Sequence, residues 1–387
     1  MGIMKSLMLE QQEYGFSRSG FWDEVCRHCI ADDCLAEYVS QGDLIERCRF
    51  CGRSDTAGVL VDELFRHMVR CLRAEWDDPI QGAAWEGGYI GVQLVDSDDL
   101  LSHVGEPLGN EDLRQEFVSA FYHDWCSLPF YGFDEAEKLI YSWERFRQLT
   151  TNNQFQDHTA VEPVGAFDDF GRTQELLEGI GQAISQVTDR LFGTTNHIQI
   201  VRGRAENPAE KFSTIRELGP PPAQIAGHNR MSRAGVSVFY GAESVDTTLK
   251  EIKDSECLAA TVGCWTPGRE LRYLDLLAAE PVPSIFDTDA GLDRQVLRFM
   301  ASFAEDLAQR VDKQETGLDY VPTQIVTEYI RDHLLDGAID AIRYPSAEDK
   351  PDGVCWVVFT DSDECQGPDP LLILDPASVR RYEPCAW

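Results

Sequence analysis

In HNRMSRAGVSVFYGAESVDTTLKEI, residues 228–252, three side chains of unlike chemistry are spaced along one segment: Arg230, Tyr240 and Glu251. A guanidinium presents a planar fork of donors that meets phosphate oxygens two at a time, which an ammonium does less well. The face of a tyrosine attracts a flat cation. A carboxylate fixed beside a reacting carbon stabilises positive charge as it develops there. Around one cleft, these three suit an anionic ligand with a cationic ring. Arg202, in VRGR, adds a second fork upstream, and Ser346, in IRYPSA, adds a hydroxyl downstream.

The elements that must position these groups can be read from periodicity. Val236, Val238 and Tyr240 alternate with Ser237 and Phe239, the pattern of a strand, and Ser244 and Asp246 can cap the helix that follows. Glu251 then falls near the C-terminal end of that helix. HIQIVRGR reads as another strand, and a proline-rich loop (Gly219 to Pro222) leads towards the Arg230 segment. LRYLDLL is strand-like, 290–311 helical, VPTQIVTEYIRDHLL an amphipathic helix, and DAIRYPS and VCWVVF two closing strands. Short strands mixed with a few helices predict an α+β domain rather than a doubly wound one. No GxGxxG or P-loop phosphate cradle is present.

A second constellation lies near the N-terminus. In CRHCIADDCLAEYVSQGDLIERCRFCG, Cys26 and Cys29 form one CxxC and Cys48 and Cys51 another. Two such knuckles supply the four soft donors of a tetrahedral Zn²⁺, and a four-cysteine site is closed, so the zinc expected here is structural. Gly52 suits the tight turn after the second knuckle. Cys34, between the knuckles, reads as a spare core thiol or an exchange partner for one ligand. Twelve cysteines without an export signal fit cytosolic thiols or metal ligands rather than a disulfide framework.

At 387 residues the chain predicts two or three domains. The expected division is a zinc-binding knuckle over 1–55, a helical domain with a connector over 56–195, and a mixed domain over 196–387. In the helical part, Val61, Leu64, Phe65, Met68 and Leu72 share one face. Further helices are expected over 111–123 and 134–149, and a stripe of Leu176, Leu177, Ile180, Ile184, Val187 and Leu191 should end at Gly193. Residues 150–171 read as a loop. Acidic residues outnumber basic ones 67 to 34, giving a formal net charge of −33. That field disfavours nucleic acid and anionic membranes, so an anionic ligand must be held locally by Arg202, Arg204 and Arg230. No apolar run is long enough to cross a bilayer. The N-terminus lacks a secretory cleavage site, although Gly2 and Ser6 fit the loose myristoylation pattern. A cytoplasmic location is expected.

VRGR (Arg202), NRMSRAGVSVFYGAES…TTLKEI (Arg230, Tyr240, Glu251), YVPTQIVTEYI and IRYPSA (Ser346) occur in that order, and over about 196–387 the chain resembles the RES domain. The N-terminal half resembles the cysteine-bearing, HEPN-like helical region that precedes some RES domains. The resemblance implies an ADP-ribosyltransferase-like fold and consumption of NAD⁺, by hydrolysis, by phosphorolysis or by transfer of ADP-ribose. It further implies a toxin-like protein neutralised by an antitoxin; a second copy of the chain is the other macromolecular partner left open. Two positions depart from the family: Val201 stands where an aromatic is common, and Cys355 near an asparagine's usual place.

With NAD⁺ as substrate the residues take definite roles. Arg202 and Arg230 hold the diphosphate, and Tyr240 stacks on the nicotinamide ring. Glu251 stabilises the oxocarbenium-like state, with Arg202 and Ser346 as its catalytic companions and Ser346 orienting the ribose or carboxamide. Each residue also has a plainer reading: surface charges, a core tyrosine, a solvated helix face, a turn serine. Three functions follow: an NAD⁺ glycohydrolase or phosphorylase, a mono-ADP-ribosyltransferase acting on protein, and a zinc-anchored adaptor without turnover. Arg190 and His197 have the nominal spacing of a HEPN ribonuclease pair, but Gly193 and two threonines between them predict a broken helix.

Overall fold

The computed structural model describes residues 23–151, 173–206, 212–253, 259–307 and 320–383. The Gly2–Ser6 pattern, residues 16–22 of the knuckle, the connector from 152 and the end of the helix expected over 290–311 lie outside the described residues. The chain forms two compact units, one of Met1–Asp134 with Pro283–Gln295, the other of Glu135–Val282 with Val296–Trp387.

In the first unit, strands β1 (Glu24–Cys26), β2 (Leu44–Ile45) and β3 (Thr56–Leu60) pair antiparallel in the order β1-β3-β2. Helix α1 (Asp33–Ser40) starts where the Asp32 side chain accepts from the Leu35 N–H. Helix α2 (Val61–Leu72) carries the expected stripe, and Val61, Leu64, Phe65, Met68 and Leu72 are all 0% exposed. Helices α3 (Ser97–His103) and α4 (Glu111–Ala120) are capped by Asp96 and Asn110. Three of the four knuckle cysteines (Cys26, Cys29, Cys48) belong to the same buried cluster as Leu64, Phe65 and Phe117. The knuckle and the helices therefore share a core. A second small sheet, of β4 (Trp76–Asp77), β5 (Leu94–Val95) and β6 (Trp125–Ser127), has strands too short for alternation to reveal.

The second unit is built on one mixed sheet. Its strands are β7 (Phe192–Thr195), β8 (Ile200–Glu206), β9 (Phe239–Ala242), β10 (Ala259–Pro267), β11 (Leu271–Asp275), β12 (Ala341–Pro345), β13 (Val354–Val358) and β14 (Leu372–Tyr382). They lie in the order β14-β10-β8-β9-β13-β12-β11-β7. Only β11 and β12 run parallel. Helices α5 (Glu135–Thr151), α6 (Thr173–Gln186), α7 (Val245–Ile252), α8 (Gly291–Leu307, from Val296 onward in this unit) and α9 (Val321–His333) complete it, an α+β architecture as expected.

Three apolar clusters pack on the sheet, one of them Val201, Ala260 and Val262 with Leu249 of α7. Trp143, Ile180, Phe299, Phe303 and Ile330 pack with Ile342 and Val357 in a second; Ile200, Phe239, Trp265 and Trp356 form the third. Phe239, expected on the polar side of an alternating strand, is accordingly buried. The stripe from Leu176 to Leu191 is buried apart from Leu177, which is half-buried, but the helix breaks at Val187 (φ −115°, ψ 31°) and resumes for one turn, Thr188–Leu191. Gly193 does not end that helix; it lies in β7, where a Cβ would fall 2.4 Å from the Tyr273 ring. Arg190 is thus on a helical turn and His197 beyond a strand, and Arg190 spends its guanidinium on the Ala278 and Pro281 carbonyls.

Candidate functional site

A cleft of about 560 Å³ opens in the second unit, within the range of small-molecule sites. β8 supplies Arg202 and Arg204, β9 supplies Tyr240, α7 supplies Glu251, and the loop before β9 supplies Arg230. Four of the five residues expected to meet NAD⁺ line this one cleft; Ser346 stands behind its wall. Among the described residues that line it there are three guanidiniums and one carboxylate, in a chain whose acids outnumber its bases by about two to one.

Arg202 is the anomaly. It is only 6% exposed, its Nη1 donates to the Tyr240 carbonyl at 2.5 Å, and its guanidinium lies over the Phe239 ring at 5.0 Å. Its Nε is sealed from solvent without a hydrogen-bond partner, and no carboxylate among the described residues lies within ion-pair distance. Burial, then the neighbouring Arg204 charge, drive its pKa well below the usual arginine value. A buried cation in this state is short of an anion. Arg204 donates to the Glu217 and Gly219 carbonyls at 3.2 and 2.9 Å, which fixes it on the rim.

Arg230 sits half-buried on a short bridge between Asn229 and Ser232. The Gln324 amide, buried on α9, donates to the Asn229 and Ser232 carbonyls at 2.7 and 3.1 Å. Thr323 donates to the Arg230 carbonyl. The Tyr240 hydroxyl accepts from the Met231 N–H and donates to Ser232 Oγ, both at 3.1 Å. Burial raises the Tyr240 pKa to about 12, so its hydroxyl stays a donor. The YVPTQ segment thus has a physical task that periodicity could not show: it clamps the loop bearing Arg230.

Glu251 is exposed on α7, and Ser346, 1% exposed, donates to its Oε1 at 2.5 Å. Ser346 Oγ itself accepts from the Glu348 and Asp349 N–H groups at 3.1 and 3.0 Å, which directs its proton to the carboxylate. The Cys355 thiol faces the same Oε1 at 3.6 Å, and burial raises its pKa, keeping it a neutral thiol. Both donors converge on one oxygen. Oε2 has no hydrogen bond among the described residues. Helix α7 is fixed by the Ser244 cap, by Thr248 Oγ1 donating to the Val201 carbonyl at 3.1 Å, and by Asp349, which takes Thr247 Oγ1 at 2.7 Å and Lys250 Nζ at 2.5 Å. Gly203 permits the close approach, since a Cβ there would lie 2.7 Å from Ile252 Cδ1.

In the first unit the Cys26, Cys29, Cys48 and Cys51 sulfurs all lie within 4.8 Å of one another. Cys26–Cys51 is 3.4 Å and Cys29–Cys48 3.7 Å. Sulfurs at about 2.3 Å around a tetrahedral zinc stand about 3.8 Å apart, so the cage fits such an ion. Gly52 takes φ +71° at the knuckle turn, as its position suggested. Cys34 is not a member of the cage.

Comparison with known families matches residues 202–375 to the RES domain and residues 43–159 to the HEPN/RES N-terminal domain 1. No curated protein matches the chain. A RES domain implies NAD-related, generally enzymatic chemistry of a toxin-like kind, in systems that pair a toxin with an antitoxin. No helix among the described residues is long and apolar enough to cross a membrane.

Proposed function

We propose that this RES-domain chain, with its HEPN/RES N-terminal domain, cleaves the nicotinamide–ribosyl bond of NAD⁺ and so acts as an NAD⁺-degrading, toxin-like enzyme. The observation that carries the reading is Arg202: a buried guanidinium without a counter-anion, in a cleft with two more arginines and one oriented carboxylate. Arg202 and Arg230 hold the diphosphate, and Arg204 closes the rim. The Tyr240 face receives the nicotinamide ring, while its hydroxyl keeps the Arg230 loop in place.

When the C1′–N bond breaks, its electron pair goes to the nicotinamide nitrogen, which leaves neutral, and positive charge appears at the ribosyl carbon. Glu251 stabilises that charge through Oε2, its other oxygen being held by Ser346. Water then attacks the ribosyl carbon and loses a proton, with Glu251 as the acceptor at hand. Ser346 acts through Glu251 as a positioning residue. The four-cysteine cage holds a structural zinc, which takes no part in this step.

The test is purified protein incubated with NAD⁺, with products resolved in phosphate and phosphate-free buffer. Nicotinamide and free ADP-ribose in both buffers identify a glycohydrolase. A phosphorylated ADP-ribose formed only in phosphate identifies a phosphorylase. Label on a protein acceptor identifies a transferase, and no nicotinamide under any condition leaves only the binding adaptor and overturns the reading.

A further inference from the structure

Tyr344, on β12, is a cleft residue that neither the motif nor the roles above employ. It is 8% exposed, lines the cleft, and pairs in register with Cys355 across β12 and β13. Ser346 lies one residue past the end of β12, and its hydroxyl and the Cys355 thiol both meet Glu251 Oε1. Arg343, the residue before Tyr344, points the other way, to Glu243 and Asp275.

The Tyr344 hydroxyl has no hydrogen-bond partner among the described residues, yet it is not among their sealed, unsatisfied polar atoms. The hydroxyl therefore opens onto the cleft, where a ligand oxygen can meet it. The other cleft tyrosine described above, Tyr240, spends its hydroxyl on Met231 and Ser232. Tyr344 has no such employment. Its ladder partner Cys355 meets Glu251 Oε1 at 3.6 Å, which sets Tyr344 close to the carboxylate. Burial holds the phenol protonated, so it can offer a neutral donor there.

We propose that Tyr344 is a substrate contact whose hydroxyl donates a hydrogen bond to an oxygen on the nicotinamide–ribose half of the dinucleotide. The assignment rests on NAD⁺ as the substrate and adds a specificity residue to that reading. A site built to satisfy a substrate oxygen discriminates against loss of either partner.

Tyr344→Phe removes only the oxygen. Three quantities are to be measured on wild type and variant: kcat/KM for NAD⁺, inhibition by ADP, which lacks the nicotinamide–ribose half, and the thermal unfolding midpoint. The expected result is a fall in kcat/KM on the order of 10-fold, with ADP inhibition and unfolding unchanged. A kcat/KM within twofold of wild type means that solvent alone satisfies the hydroxyl, and the proposal fails. Weakened ADP binding or a lowered midpoint means that the hydroxyl serves the fold, and the proposal fails equally. If the wild type itself neither binds nor consumes NAD⁺, the substrate reading falls and takes this contact with it, an outcome visible without the variant.

Discussion

Replacing Arg202 by methionine is expected to stabilise the second unit while emptying the cleft of its affinity. The effective penalty for burying an unpaired ion is several kcal/mol even after relaxation. Against it stand one charge-assisted hydrogen bond to the Tyr240 carbonyl, worth about 1.5–3 kcal/mol, and the contact over Phe239, worth about 1–2 kcal/mol. Methionine fills similar apolar volume and removes the sealed Nε, so a net gain of up to about 2 kcal/mol follows. For a unit of this size that is a rise of up to several degrees in the unfolding midpoint. Binding moves the opposite way: losing a desolvated charge-assisted pair to the diphosphate costs about 2–4 kcal/mol. Calorimetric unfolding and NAD⁺ titration of the same two proteins check both signs. A variant that is strongly destabilised yet binds NAD⁺ normally would show Arg202 to be a pillar of the fold, and the reasoning from its missing anion would be refuted.

Glu251→Gln keeps the shape and removes the charge, so turnover should fall on the order of 10²–10⁴ with NAD⁺ affinity nearly unchanged; depletion of cellular NAD⁺ at the wild-type rate would exclude the assigned role. Arg230→Ala should weaken NAD⁺ binding by about 2–4 kcal/mol, and Arg230→Lys should restore only part, as titration will show. Protein prepared without chelator should carry one zinc per chain by metal analysis. Cys48→Ser should lose that zinc and melt the first unit's core, into which the cage is built, while the second unit's unfolding is retained. Gly241→Ala would place a Cβ 2.9 Å from the Val201 carbonyl, so unfolding measurements should show a loss of about 1–3 kcal/mol.

Much of this architecture was legible. The α2 stripe, the Ser244-capped helix with Glu251 near its end, and the paired CxxC cage follow from spacing alone, because helical period, capping and ligand geometry are local rules. What escaped depends on partners distant in sequence. β10 shows no alternation because nearly all of it is buried, β14 is an edge strand left largely exposed, and the break at Val187 interrupts a stripe that continues on either side. In the cleft, the residue types were readable but their division of labour was not. Ser346 looked like a group for the substrate, and it lies behind Glu251. Tyr240 looked like a bare aromatic face, and its hydroxyl also holds the Arg230 loop. Gln324 was one polar residue in an amphipathic helix until its two carbonyl partners were placed. Tyr344 had a usable signal: it stands two positions before Ser346, in the strand that leads to it.

The bond from Ser346 to Glu251 spans 95 residues of sequence, and the strand that brings Cys355 to the same carboxylate comes later still. Synthesis therefore delivers the arginines, the tyrosine and the acid long before the hydroxyl that aims the acid. A chain still on the ribosome, or one cut short before β13, holds every charged group of the cleft without their working arrangement. Under the NAD⁺-degrading activity proposed above, this order matters. Unfinished copies lack the assembled cleft, which is complete only once β12 and β13 have joined the sheet.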